Sequence, residues 1–419
     1  MMERAAAKHA GWAKRWDAAR SASARLEERG LSAGACIVMD ASDSEELFAV
    51  LMACWMLHIT PAILPPGVGQ SMVEPLAADA YLDDLAALAA PGHAGRVVAH
   101  DASTEVLLSL TSGTTGRPKA AVLGSQAVAL ATSCIADRQR LRSTDVVLCT
   151  VPAASSFQLI AALAPAAHAG AHFLSGAGQS GLELWETIRR EGVTVMLGYG
   201  PVLCDLLVAA DGAPSTLRMV MSGGAPVAAA VKDEYRTRLG LPFVESYGQS
   251  ELGGFVAMGD PTDTDLRALT HAGRPLPDRP AWVDPSGEIV LWGKAMLGYR
   301  HQPDLNADVL RHPGLWTGDV GVMDRDGYLR VLGRAGHQLP DGRWPRDVDD
   351  IIYAHRGIHH AAVVSIDGEL HGFVQPRPGA TVDTAAIAIA AALSAVHLVD
   401  ALPRTFSGKI DRGAIARAK

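Results

Sequence analysis

Residues 106–119 read Val-Leu-Leu-Ser-Leu-Thr-Ser-Gly-Thr-Thr-Gly-Arg-Pro-Lys, an apolar run leading straight into a loop of hydroxyls, glycines and cations. Gly113 and Gly116 let the chain turn tightly and expose consecutive backbone N–H groups. Thr111, Ser112, Thr114 and Thr115 add hydroxyl donors, and Arg117 and Lys119 add positive charge. In chemical terms this is a phosphate cradle at the end of a strand. It is not a Walker A loop, because Pro118 stands where the second glycine of GxxxxGK[ST] belongs. Read alone, the segment has a bland alternative, a polar surface turn.

Working outward, short β-branched runs at 35–39, 106–110, 146–151, 193–197 and 219–222 alternate with Ala-rich segments of helical spacing. That alternation predicts an α/β fold. From about residue 281 the texture changes to short strands and Gly/Asp turns, at 284–287 and 324–327. A polar Gly/Pro/Asp stretch at 335–350 follows Gly333-Arg334, and 361–366 with 370–375 suggest a strand pair. The reading is a large N-terminal α/β unit, 1–334, with a small β-rich subdomain, and a small mobile C-terminal α+β unit, 335–419.

The chain has 419 residues, 48% hydrophobic and 20% charged, which excludes a largely disordered protein. A net charge of −8 argues against a nucleic-acid or anionic-membrane binder, and 5% aromatic content against a stacking platform for single strands. Cys36, Cys54, Cys134, Cys149 and Cys204 form no CxxC pair and sit mostly in apolar runs. Buried reduced thiols in a cytoplasmic protein are expected. The first thirty residues lack the apolar core of a signal peptide; Trp12, Trp16 and Leu26 suggest one face of a helix stopped by Gly30. The stretch 146–182 carries no charge, but Pro152, Pro165, Ser155, Ser156 and His168 interrupt it before about 20 apolar residues accumulate. It reads as buried core and pocket lining.

Five further segments follow the 111–119 loop: Ser-Gly-Gly-Ala-Pro at 222–226, Tyr-Gly-Gln-Ser-Glu at 247–251, and Gly298-Tyr299 with Trp-Thr-Gly-Asp at 316–319. Gly333-Arg334 and Leu-Pro-Arg-Thr-Phe-Ser-Gly-Lys-Ile-Asp-Arg at 402–412 complete the series. In composition and order the set resembles the adenylate-forming superfamily: acyl- and aryl-CoA synthetases, peptide-synthetase adenylation domains and luciferase. The resemblance implies attack of a carboxylate on the α-phosphorus of ATP, giving acyl-AMP and pyrophosphate, then transfer to the thiol of CoA or of a carrier protein's phosphopantetheine.

The resemblance also implies roles. Thr111, Ser112, Gly113, Thr114, Thr115, Gly116 and Lys119 would hold the β- and γ-phosphates, Glu251 would hold Mg2+, and Ser250 would meet the α-phosphate. Gly223, Gly224 and Ala225 with Tyr247 and Gly248 would enclose adenine. Asp319 would accept the ribose hydroxyls, supported by Arg334. Lys409 is the expected catalytic ammonium between carboxylate and α-phosphate. The acid pocket is expected at Ser155, Ser156, Phe157, Tyr199, Gly200, Ser222 and Gln249. With no acidic residue in 146–182 to pair an ammonium, an α-amino acid is disfavoured and an aryl or medium alkyl acid is favoured.

His337 falls where relatives carry a hinge acid, and the loop from Gly342 to Pro345 is about three residues short by hand alignment. The chain is also short for the superfamily. The acceptor is therefore open: CoA, a carrier protein, or a non-thiol nucleophile such as an amine. A non-catalytic binding relative is a further alternative, opposed by Lys409, Glu251 and Asp319. Partners are a small carboxylic acid and an acyl or aryl carrier protein, with no nucleic acid and no membrane, in a monomer or homodimer. The GxGxxG at 176–181 would suggest a dinucleotide enzyme, but the next strand, 193–197, ends in Gly-Tyr-Gly rather than a ribose-binding acid. Leu252 spoils a nucleophile elbow at 248–250, and neither His168/His172 nor His359-His360 has the neighbours of a transition-metal site.

Overall fold

The β-branched runs become strands of two mixed sheets. The computed structural model describes residues 10–98, 104–111, 119–212 and 214–418. In the first sheet Ala80–Leu82, Cys36–Asp40, Thr60–Leu64 and Glu105–Thr111 run parallel, and Lys119–Gly124 and Gly298–Tyr299 add antiparallel at one edge. In the second, His172–Ser175, Val146–Cys149, Val195–Gly198, Met219–Ser222 and Phe243–Gln249 are parallel, and Gly254–Met258 and Arg274–Pro275 turn back antiparallel. The central strands are buried on both faces, which is why they read as continuous apolar runs rather than alternating ones.

The helix Ala10–Glu28 buries Trp12 and Leu26, and Gly30 at φ +78° ends the segment. The uncharged stretch is core: Val146–Cys149, a buried π-helical turn Phe157–Leu163, the helix Ala164–Ala169 and the edge strand His172–Ser175. Among the described residues no helix is long and apolar enough to cross a membrane. All five cysteines are buried and unpaired. The GxGxxG is the connection between that edge strand and the helix Gly181–Glu191, where Ser180 and Glu183 form a capping box.

A small sheet of Ala281–Val283, Glu288–Leu291, Gly314–Met323, Leu310–Arg311 and Leu329–Arg334 follows. Residues beyond it build a three-stranded sheet, Ile358–Ile366, Glu369–Pro376 and Ala395–Leu398, around a separate core of Val348, Ile352, Val363, Val374 and Ile387. The polar stretch 335–350 is not all loop. Pro345 opens the helix Pro345–Tyr353, whose buried face is Val348 and Ile352 beneath charged neighbours that masked it in the sequence.

Candidate active site

The strand Phe243–Gln249 delivers Tyr247 to the floor of a cavity of about 1170 Å³ between the second sheet, the small sheet and the C-terminal residues. The Tyr247 hydroxyl donates to Asp319 Oδ2 at 2.8 Å. Burial, reinforced by the Asp319 carboxylate, pushes this phenol far above its usual range, so it stays a donor. Gln249 donates to the same oxygen and to Thr317 O at 3.1 Å. Asp319 and Arg334 are cross-strand partners, with Arg334 Nε 3.0 Å from Asp319 Oδ1. Two hydrogen bonds thus converge on Oδ2 of the carboxylate, while Arg334 flanks Oδ1 as an ion pair.

At the next position along the cavity Glu251 is buried, and its Oε1 accepts from Tyr299 OH at 2.8 Å. Lys119 Nζ lies 5.6 Å from the Tyr299 ring, and Thr111 faces Lys119 across the β-ladder. Ser112, Gly113, Thr114, Thr115 and Gly116 lie outside the described residues. The Ser250 hydroxyl meets that of Ser156 at 3.1 Å, and Ser155 Oγ meets Tyr199 OH at 3.1 Å. Phe157 packs edge-on against both Tyr199 and Phe255, giving this arm of the cavity an aromatic wall.

Lys409 arrives from the far end of the chain on a tight hairpin. Its Nζ donates to Gly224 O at 2.9 Å and sits 4.5 Å from the Tyr199 ring centroid. Burial in the cavity mouth, aided by the Arg334 charge and opposed by Asp319, brings its pKa down to about 8. Gly224 has φ +73°, and a Cβ there would stand 2.8 Å from the Tyr199 ring and 3.0 Å from Lys409 Nζ. Only a residue without a side chain leaves the ammonium where it is.

The structure brings Ser155, Ser156, Phe157, Tyr199, Gly200, Gly224, Ala225, Tyr247, Gly248, Gln249, Ser250, Glu251, Asp319, Arg334, His337 and Lys409 to one cavity. Three of the expected residues sit differently from the rest. Ser222 is fully buried behind the wall, not on it, because it ends an inner strand of the sheet. Gly223 is likewise absent from the lining; a Cβ there would meet Ser246 Oγ at 2.6 Å and the Phe255 ring at 2.8 Å, so it allows packing of the wall. Gln249, expected against the acid, spends its amide on Asp319. Sequence reasoning missed Phe255, whose only signal was an aromatic following a Gly-Gly turn.

The fold and this cavity define a class. The description "AMP-binding enzyme" fits residues 70–299, and the chain belongs to that family. It is 30% identical over 306 residues to a sulfoacetate–CoA ligase of Cupriavidus necator, covering 67% of this chain and 59% of that protein. It is 29% identical to a feruloyl-CoA synthase of Amycolatopsis, covering 74% and 69%. The match to the first relative therefore spans less than two thirds of its length. In three dimensions it superposes on ATP-bound MatB from Rhodopseudomonas palustris with a TM-score of 0.84 at 23% identity, over 97% of this chain and 93% of the other.

Proposed function

We propose that the chain is an ATP- and Mg2+-dependent ligase that activates a carboxylic acid as acyl-AMP and passes the acyl group to the thiol of CoA. The carrying observation is that Lys409, Asp319–Arg334, Glu251 and the aromatic arm converge on one cavity from four separate parts of the sequence. The relatives named above, a sulfoacetate and a feruloyl ligase, support CoA as acceptor.

The reaction needs alignment and charge neutralisation more than covalent help. A carboxylate oxygen attacks the α-phosphorus in line, and the bond to pyrophosphate breaks. Lys409 supplies a compact positive charge where carboxylate and phosphate oxygens crowd together. Asp319 and Arg334 fit the ribose. With Tyr247 and Gln249 on Oδ2, the ribose hydroxyls would take Oδ1, which the half-exposed Arg334 flanks as an ion pair. Tyr247 and the backbone at Gly224 and Ala225 are read as the adenine slot, and Thr111–Lys119 as the phosphate loop.

Glu251 suits Mg2+, being a buried hard-oxygen donor opening on the cavity beside the Ser250 hydroxyl. Bound there, the ion would neutralise phosphate charge. Ser155, Phe157, Ile160, Tyr199 and Phe255 carry no formal charge, so the acid's tail is read as neutral, aryl or medium alkyl. The division into 1–334 and a mobile 335–419 belongs to the same reading.

Acid-dependent exchange of labelled pyrophosphate into ATP tests it. Exchange should appear with benzoates, cinnamates or medium fatty acids and fall at least 100-fold in Lys409→Ala, and CoA should give thioester. No exchange with any acid sinks the reading. Exchange without thioester until a carrier protein or an amine is added reassigns the acceptor.

A further inference from the structure

Asp205, on the helix Gly200–Ala209 that begins directly after the cavity residue Tyr199, meets three basic side chains from the C-terminal residues. Arg404 Nη1 lies 2.8 Å from its Oδ2 and Nη2 3.1 Å from its Oδ1. His360 Nε2 is 2.7 Å from Oδ1, and His359 Nε2 is 2.9 Å from the same oxygen without a well-directed hydrogen bond. Neighbouring strand residues normally face opposite ways. Here the ladder shifts register between Ile358 and His360, so both imidazoles turn to one side and stack at 4.0 Å. The ligand-type atoms of Asp205, His359 and His360 lie within 4.8 Å of one another. A metal ion is nonetheless the weaker reading, because the Arg404 guanidinium already supplies a cation to both carboxylate oxygens and reaches His360 Nε2 at 2.8 Å.

Arg404 stands at the base of the hairpin that carries Lys409. It bridges Ile410, Thr405 N donates to Lys409 O at 2.8 Å, and Gly408 N to Thr405 O at 2.9 Å. Asp411 N closes the base on Pro403 O at 2.9 Å. So short and cross-bonded a hairpin moves as one piece, and Arg404 is its ion-paired grip on the helix after Tyr199. Both ends of the Lys409 contact set are then tied to one carboxylate: Tyr199 through its helix and Lys409 through Arg404.

We propose that Asp205 and Arg404, buttressed by His360, are positioning residues that hold the Lys409 ammonium at Gly224 and Tyr199. None of the three lines the cavity. Burial alone would raise the Asp205 pKa. Hydrogen bonds from His360 and Arg404, with the His359 ring close against the same oxygen, outweigh it and hold the group well below the carboxylate range, so the anion is present throughout the working pH. His360 is pushed down by burial, partly offset by Asp205, which favours the neutral ring.

The inference rests on the role of Lys409 given above, so its test carries a readout independent of turnover. In Arg404→Gln, exchange kcat should drop 10- to 100-fold with the KM for ATP within about threefold. Arg404→Lys should recover most of the loss. Asp205→Asn should match Arg404→Gln, and the double variant should be no worse than either single one. In parallel, reductive methylation of Lys409 followed by peptide mass analysis should show its half-maximal pH moving upward from about 8 in Arg404→Gln as the amine regains solvent. If wild-type enzyme shows no exchange, the functional reading fails while the methylation shift still tests the grip. An unchanged methylation profile overturns the proposal, as do additive losses in the double variant. So does wild-type Zn2+ inhibition at micromolar concentration abolished by His359→Ala, which would identify the cluster as a metal site.

Discussion

Lys409 enters the cavity with a lowered proton affinity, and that has a consequence for rate. Burial is the main cause and the Arg334 guanidinium the second, with Asp319 opposing both. The charged form is the one that neutralises phosphate, so activity belongs below the folded pKa and is lost as pH rises through it. We expect kcat/KM for ATP in pyrophosphate exchange, which reports the free enzyme, to fall along a single ionisation centred near pH 8. Arg334→Gln removes a repelling charge and should move that midpoint upward, at some cost in ATP affinity. Lys409→Arg keeps its charge at every accessible pH and should flatten the alkaline limb, whatever it does to the plateau. A midpoint that stays at 8 in Lys409→Arg would assign the ionisation to another group.

The element that shapes the acid arm, residues 150–158 and the π-helical turn after them, is held by one carboxylate outside the cavity. Asp43 Oδ1 accepts from Ala153 N at 3.0 Å, Gln158 Nε2 at 2.8 Å and Ser175 Oγ at 3.1 Å. Burial raises its pKa, and these donors pull the other way. Hydrogen bonds to a charged group are worth about 1.5–3 kcal/mol each, and stranded buried donors cost a comparable amount. Asp43→Ala should therefore loosen the segment bearing Ser155, Ser156 and Phe157. The KM for the acid should rise roughly tenfold and the KM for ATP change less than twofold, with a lower melting temperature. Asp43→Asn keeps an acceptor in place and should recover most of the acid affinity. Equal rises in both KM values would mean that the damage is global.

Across the whole molecule, what was legible in the sequence was whatever chemistry had written into a short string. The strands at 35–39, 146–151, 193–197 and 219–222 showed because strands buried on both faces tolerate little but apolar residues, and Asp319 and Lys409 showed because their neighbours repeat a familiar pattern. Asp205, His359 and His360 did not. Asp205 is an isolated acid in an apolar helix and the adjacent His359-His360 pair lies more than 150 residues away, so only a strand irregularity and the docking of the C-terminal sheet bring them together. The string says nothing of which way the end of an inner strand points, and so does not tell that Ser222 is buried. The same docking carries the last prediction. Arg377 pairs with Glu234 of the helix Ala229–Leu239, and Asp350 accepts from Ala229 N at 2.8 Å, so the C-terminal sheet is fixed in the arrangement that presents Lys409. If the proposed mobile unit 335–419 turns between the two steps, tethering this contact should separate them. Glu234→Cys with Arg377→Cys, bridged by a short bis-maleimide, adds two accessible thiols to five that are buried and slow to react. Bridged enzyme should keep pyrophosphate exchange within about threefold of the unbridged double variant and lose at least tenfold in thioester formation. A bridged enzyme that makes thioester at full rate would show that both steps run in the arrangement seen here.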